Sequence, residues 1–173
     1  HPTQAMLDLY TIKKEKGRID GLKIALVGDH KYGRVMHSLA YALARYDVDT
    51  YFVSPMELSM PKEILEDLNA MGARYEQIQR LEDVISDVDV IYIIRVQRER
   101  FKDPAEYERI KKSYRIDSKT LVEAKEDMIL LHPMPRVDEL STDVDIMPCA
   151  RYWNQAYYGV VVRMALLSLL LDK

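Results

Sequence analysis

The sequence is most informative at first for what it lacks. One cysteine, Cys149, stands among 173 residues. That excludes an internal disulfide and a cysteine-rich zinc site, and it fits a reducing, cytoplasmic setting. The four histidines show no metal-ligand spacing, so no metal is expected. Charge is nearly balanced, 25 basic against 28 acidic residues for a net −3, which argues against a nucleic-acid partner. No run reaches the ~18 apolar residues of a membrane span. The longest, Val160 to Leu171, is interrupted by Arg163 and Ser168. No Gly-x-Gly-x-x-Gly or Gly-x-x-x-x-Gly-Lys-Ser/Thr pattern occurs, so no nucleotide cofactor is supported. Neither a Ser-His-Asp nor a Cys-His arrangement has recognisable spacing. The chain opens His-Pro-Thr-Gln, without methionine or a signal-like segment, which reads as a processed, truncated or excised end.

What is present is a β/α alternation. Lys23–Val27, Thr50–Val53, Arg74–Ile78, Val90–Ile94 and Met128–Leu131 read as strands, the first a nearly continuous apolar run expected of a strand buried on both faces. Helices are expected at Thr3–Lys16, Arg34–Arg45, Pro61–Met71, Leu81–Val88, Pro104–Ser113, Ser118–Ala124 and from about Trp153 to Leu171. In the first, Ala5, Met6, Leu9, Tyr10 and Ile12 form the expected apolar stripe, and Gly17 ends it. This order predicts an α/β fold: a doubly wound parallel sheet of about five strands with helices on both faces. The two end helices lie outside the strand alternation. The last is apolar nearly all round, so it is expected to pack on something outside this chain.

Three segments then fall at the carboxyl edge of the sheet, where open α/β sheets bind ligands. Gly28-Asp29-His30-Lys31-Tyr32-Gly33-Arg34 follows the first strand. Arg95-Val96-Gln97-Arg98-Glu99-Arg100 follows the fourth. His132-Pro133-Met134-Pro135-Arg136 follows the fifth. If the fourth strand continues, Arg95 and Gln97 share a face. Arg34, Arg95 and Gln97 converging there suit a small substrate with more than one carboxylate, because guanidinium forks match carboxylates two hydrogen bonds at a time. The proline loop offers free carbonyl oxygens that can accept from an amine. Taken singly, the first two segments would also read as solvated loops and the third as a stiff connection.

Together, and with His1-Pro2-Thr3-Gln4 and Val137-Asp138-Glu139, these segments closely resemble the catalytic chains of aspartate carbamoyltransferase along essentially the whole length. The resemblance implies carbamoyl transfer from carbamoyl phosphate to L-aspartate in pyrimidine synthesis, with no cofactor. By position it implies that Arg34, Arg95 and Gln97 hold the two carboxylates of aspartate. His1 and Gln4 would touch the carbamoyl group, with His1 polarising its oxygen. The carbonyls of Pro133 and Met134 would orient the amine and the carbamoyl nitrogen. Arg100 would bridge domains on closure, and Lys31 with Glu106 and Tyr107 with Asp138 would be switch contacts. It implies residues 1–17 as an interdomain helix, 18–150 as the aspartate-binding domain, and 151–173 as a helix crossing to a carbamoyl-phosphate domain. It also implies a homotrimer, with regulatory chains as further partners. Met134 stands where the family usually has leucine.

The family's Ser-Thr-Arg-Thr loop for carbamoyl phosphate is not in this sequence. The expectation is therefore half of an active site, inactive alone. A non-catalytic domain that binds acidic amino acids, or carbamoyl transfer to another amino acid, is the alternative.

Overall fold

The computed structural model describes residues 1–101, 103–112 and 115–171 and, within them, all side chains but those at 99, 104, 106 and 112. Five strands, β1 (Lys23–Val27), β2 (Asp49–Val53), β3 (Arg74–Ile78), β4 (Val90–Ile93) and β5 (Ile129–Leu131), form one parallel sheet in the order β3-β2-β1-β4-β5. The helices are α1 (Pro2–Lys16), α2 (Arg34–Leu43), α3 (Lys62–Ala70), α4 (Pro104–Lys112) and α5 (Tyr152–Leu171). The chain winds outward from β1 to β3, then returns to β4 and β5 on the other side. That reversal leaves a crevice beyond the carboxyl ends of β1 and β4.

Strand side chains alternate, and each face of the sheet has its own core. Ile24, Leu26, Val90, Tyr92, Ile129 and Leu131 pack under α1, α2 and α3. Ala25, Val27, Ile91, Ile93 and Leu130 pack under α4, the start of α5 and short 3-10 turns. The helical spacing of Met36, Leu39, Ala40 and Leu43 puts all four in the first core, as expected from the sequence.

Three local expectations are corrected. Residues 81–88 form only a 3-10 turn, Leu81–Asp83, because Val84 leaves helical geometry at φ −133° in a stretch of β-branched and aspartate residues. Residues 118–124 do likewise, with a turn over Thr120–Glu123. There the Asp117 carboxylate takes the backbone N–H groups of Lys119 and Thr120 at 3.1 and 3.0 Å, an alternative to a regular helix start. In α1 the buried face is Ala5, Leu7, Asp8, Thr11 and Ile12, whereas Met6 and Tyr10 are exposed.

Helix α5 is tied to α1 at its start: Asn154 and Tyr158 donate to Glu15 at 3.2 and 2.8 Å. Beyond Gly159, among the described residues, only Arg163 bonds back to α1, at Gln4, and Met164, Leu167 and Leu170 are more than half exposed. By length and composition alone it could cross a membrane, at a mean hydropathy of 1.2. Its first turns are engaged by protein on α1 and β5 instead.

Candidate functional site

The crevice holds an open cleft of about 230 Å³. Its walls bring together Arg34 from the start of α2, Arg95 and Gln97 from the segment after β4, and His132 to Pro135 from the loop after β5. His1 closes one end, its Nδ1 hydrogen-bonded to Ser38 Oγ at 2.6 Å. Of the residues singled out in the sequence, His1, Arg34, Arg95, Gln97, Pro133 and Met134 all line this space. Strand β4 ends at Ile93, so Arg95 and Gln97 reach the cleft from extended backbone beyond the sheet rather than from a continued strand.

Two glycines let the first loop close on the end of β4. Gly28 sits at φ 122°, and a Cβ there would lie 2.5 Å from the Ile94 carbonyl oxygen. A Cβ on Gly33 would strike the Asp29 carbonyl and come within 2.6 Å of Ile94 Cδ1. Asp29, fully buried, accepts the Tyr32 N–H at 2.9 Å and so fixes the turn. Burial pushes its carboxyl upward despite backbone hydrogen bonds. His30 is buried too and donates Nε2–H to the Leu26 carbonyl at 2.9 Å. Burial pushes its pKa down to about 3, so it is a neutral core residue. Tyr32, within the first motif but given no role there, carries Lys31 Nζ at 5.3 Å and Arg100 at 5.9 Å from its ring centroid. It links the first loop to the second, since Gln97 also donates to the Tyr32 carbonyl at 3.5 Å.

The proline loop is tightly determined. The Met134–Pro135 bond is cis and Met134 has φ 57°, left-handed backbone that a non-glycine residue adopts at a cost of about 1–3 kcal/mol. Its own N–H donates to His132 Nδ1 at 2.8 Å. An accepting Nδ1 carries no proton, so the hydrogen-bond network assigns the ring proton to Nε2, which faces Glu139 Oε1 at 2.7 Å. Both side chains are buried. Burial alone would raise the Glu139 carboxyl, but hydrogen bonds from His132 and nearby backbone outweigh it and the net shift is downward. Arg136 grips Asp145 through both guanidinium nitrogens, and the Tyr152 hydroxyl donates to the same carboxylate. Among the described residues the carbonyl oxygens of Pro133 and Met134 accept no hydrogen bond.

Other expected residues lie off the cleft. Gln4 is one turn along α1, donating to Asp8 at 2.8 Å. Asp138 ion-pairs with Lys111, while Tyr107 packs its ring on Phe101 at 5.7 Å. The Glu106 side chain lies outside the described residues. No cluster of three or more metal-ligating side chains occurs among the described residues.

Residues 20–170 match the family described as aspartate/ornithine carbamoyltransferase, Asp/Orn binding domain. The chain is 55% identical over 172 residues to the aspartate carbamoyltransferase catalytic subunit of Methanopyrus kandleri, covering 99% of this chain and 56% of that protein. It superposes on the catalytic subunit of M. jannaschii aspartate transcarbamoylase with a TM-score of 0.93 at 54% identity, over 99% of this chain and 57% of that one. A Trypanosoma cruzi aspartate transcarbamoylase in complex with carbamoyl phosphate and aspartate gives a TM-score of 0.90 at 42% identity, over 96% and 56%. The chain thus spans about half the length of the relatives it matches. On the sequence match and the shared fold, the chain belongs to the aspartate/ornithine carbamoyltransferase family.

Proposed function

We propose that this chain supplies the aspartate half of an aspartate carbamoyltransferase site. One observation carries the reading: two guanidiniums and an amide line one cleft together with the Pro133–Met134 segment. Arg34 and Arg95, with Gln97, bind the α- and β-carboxylates of L-aspartate. The Pro133 and Met134 carbonyls accept from the α-amine and the carbamoyl nitrogen. The neutral amine attacks the carbamoyl carbon and forms the C–N bond, with the carbonyl electrons moving onto oxygen. Collapse breaks the C–O bond to phosphate, and the amine proton passes to the departing phosphate, giving N-carbamoyl-L-aspartate and phosphate. Such a reaction needs placement and stabilisation of the oxyanion more than a nucleophilic side chain. His1 donates toward the oxyanion, and Gln4, bonded to Asp8 off the cleft in this structure, meets the carbamoyl group when the donor is bound. The Trypanosoma cruzi relative in complex with carbamoyl phosphate and aspartate supports the substrate assignment.

The same reading makes α1 and α5 the elements that cross to a carbamoyl-phosphate domain, and the exposed apolar face of α5 the surface that docks there. Arg100, Lys31 with Glu106, and Tyr107 with Asp138 act when the domains close. A cytoplasmic homotrimer, with regulatory chains as further partners, completes the proposal.

The test joins this chain to the remaining N-terminal portion of a relative and measures carbamoyl-aspartate formation. The joined protein is expected to form product from aspartate and not from ornithine, and the chain alone to form none. Product from ornithine only, or turnover by the chain alone, contradicts the reading.

A further inference from the structure

The fold buries a carboxylate that the chemistry above does not use. Asp8, on the inner face of α1, is fully buried, and its three hydrogen-bond donors are all neutral side chains. Its Oδ1 accepts from Gln4 Nε2 at 2.8 Å and from Gln155 Nε2 at 2.7 Å. Its Oδ2 accepts from the Tyr92 hydroxyl at 2.8 Å. An ionised carboxylate can only accept, so both glutamine amides must turn their NH2 groups toward it. Their oxygens then point outward. Gln155 Oε1 accepts the backbone N–H of His132 at 2.8 Å. Gln4 Oε1 is turned the other way, accepting from Arg163 Nη2 at 3.3 Å, and an amide oxygen has a second lone pair to offer.

We propose that Asp8 is a positioning residue that sets the orientation of both amides. Through Gln155 it holds the His132 backbone, and with it the loop whose carbonyls meet the substrates. Through Gln4 it fixes the amide oxygen on Arg163, tying the start of α1 to α5. The kinetic consequence rests on the carbamoyl-transfer reading; the hold on the loop does not. A neutral acid or amide at position 8 could donate as well as accept, and either glutamine could then flip. Burial pushes Asp8 up to about 6, while the hydrogen bonds from Gln155, Tyr92 and Gln4 favour the acceptor-only form.

The experiment compares Asp8→Asn, Gln155→Met and Tyr92→Phe with the unsubstituted protein, each joined to the N-terminal portion of a relative. Tyr92→Phe removes one donor and leaves both amides facing a carboxylate, so it reports on lost hydrogen bonding alone. Aspartate is gripped by the arginines, so the loop change is expected in kcat rather than KM. Asp8→Asn and Gln155→Met are expected to lower kcat on the order of 10- to 100-fold, the scale of an ångström of misplacement. Aspartate KM should stay within about threefold and Tyr92→Phe within about twofold in kcat. A crystal structure of the Asp8→Asn chain should show the His132 N–H no longer bonded to Gln155 Oε1, or the amide reversed. The inference is overturned if Asp8→Asn keeps kcat within about twofold, if Tyr92→Phe falls as far, or if the His132–Gln155 hydrogen bond is unchanged. Should Asp8→Asn fail to fold, Gln155→Met with unchanged kcat overturns it equally. An unsubstituted joined protein without activity defeats the carbamoyl-transfer reading instead, and the crystal structure still decides the positioning role.

Discussion

Replacing Asp8 by asparagine should favour the variant progressively as pH rises from acid, and the size follows from the burial of the carboxylate. The carboxyl shifts from 3.8 to about 6 on folding, chiefly because burial disfavours the charged form. Hydrogen bonds from Gln155, Tyr92 and Gln4, and the charge of Arg163, oppose the shift without cancelling it. A raised carboxyl pKa means the folded state holds its proton where the unfolded state has lost it. Asp8 therefore adds no penalty below 3.8, and stability falls as pH rises from there through about 6. About two pKa units correspond to roughly 3 kcal/mol across the window, of which about half falls between pH 5 and 8. Tyr92, also buried, has its pKa raised well above 10, mainly by burial, so it stays neutral throughout. The other carboxylates titrate alike in both proteins and cancel in the difference. Urea unfolding of the unsubstituted chain and Asp8→Asn at pH 5, 6, 7 and 8 provides the measurement. The stability difference should move toward the variant by about 1–2 kcal/mol over that range. A difference that is flat with pH, or moves the other way, would refute the reasoning.

Other changes probe separate parts of the structure. Leu39→Ala, at a fully buried position in the core beneath α2, should cost about 2–5 kcal/mol in urea unfolding, the range for a cavity of that size. Glu139→Ala leaves the His132 Nε2–H and the Val137 and Asp138 amides without their acceptor. It should destabilise by about 1–3 kcal/mol and slow transfer by the joined protein more than it raises aspartate KM. Gly33→Ala forces the 28–34 loop off the end of β4, so both melting temperature and aspartate binding should fall together.

The sheet is legible in the sequence because its strands are short apolar runs separated by helical spacing, and that pattern survives in any context. β1 and β3 match to the residue, and the α2 stripe is buried as its spacing predicts. The cleft is legible because Arg34, Arg95, Gln97 and the proline loop each follow a strand, and parallel strands deliver their ends to one edge. The face of α1 is not. A stripe of apolar residues points to Met6 and Tyr10, whereas the buried side is set by Asp8 and Thr11 packed against Tyr92, α2 and α5. Nothing in the sequence marks a carboxylate whose partners are 84 and 147 residues away. At 81–83 and 120–123 the sequence suggests helices because apolar spacing over one turn suits a 3-10 turn equally well. Tyr32 stands inside a legible motif, but its role depends on loops brought together only by folding.

The central claim is that Arg34, Arg95 and Gln97 hold the aspartate carboxylates. Steady-state kinetics of Arg95→Ala in the joined protein test it most directly. A lost charged hydrogen bond of about 1.5–3 kcal/mol should raise aspartate KM about 10- to 150-fold and leave carbamoyl-phosphate KM unchanged. An aspartate KM within about twofold of the unsubstituted protein, or equal increases for both substrates, would contradict it.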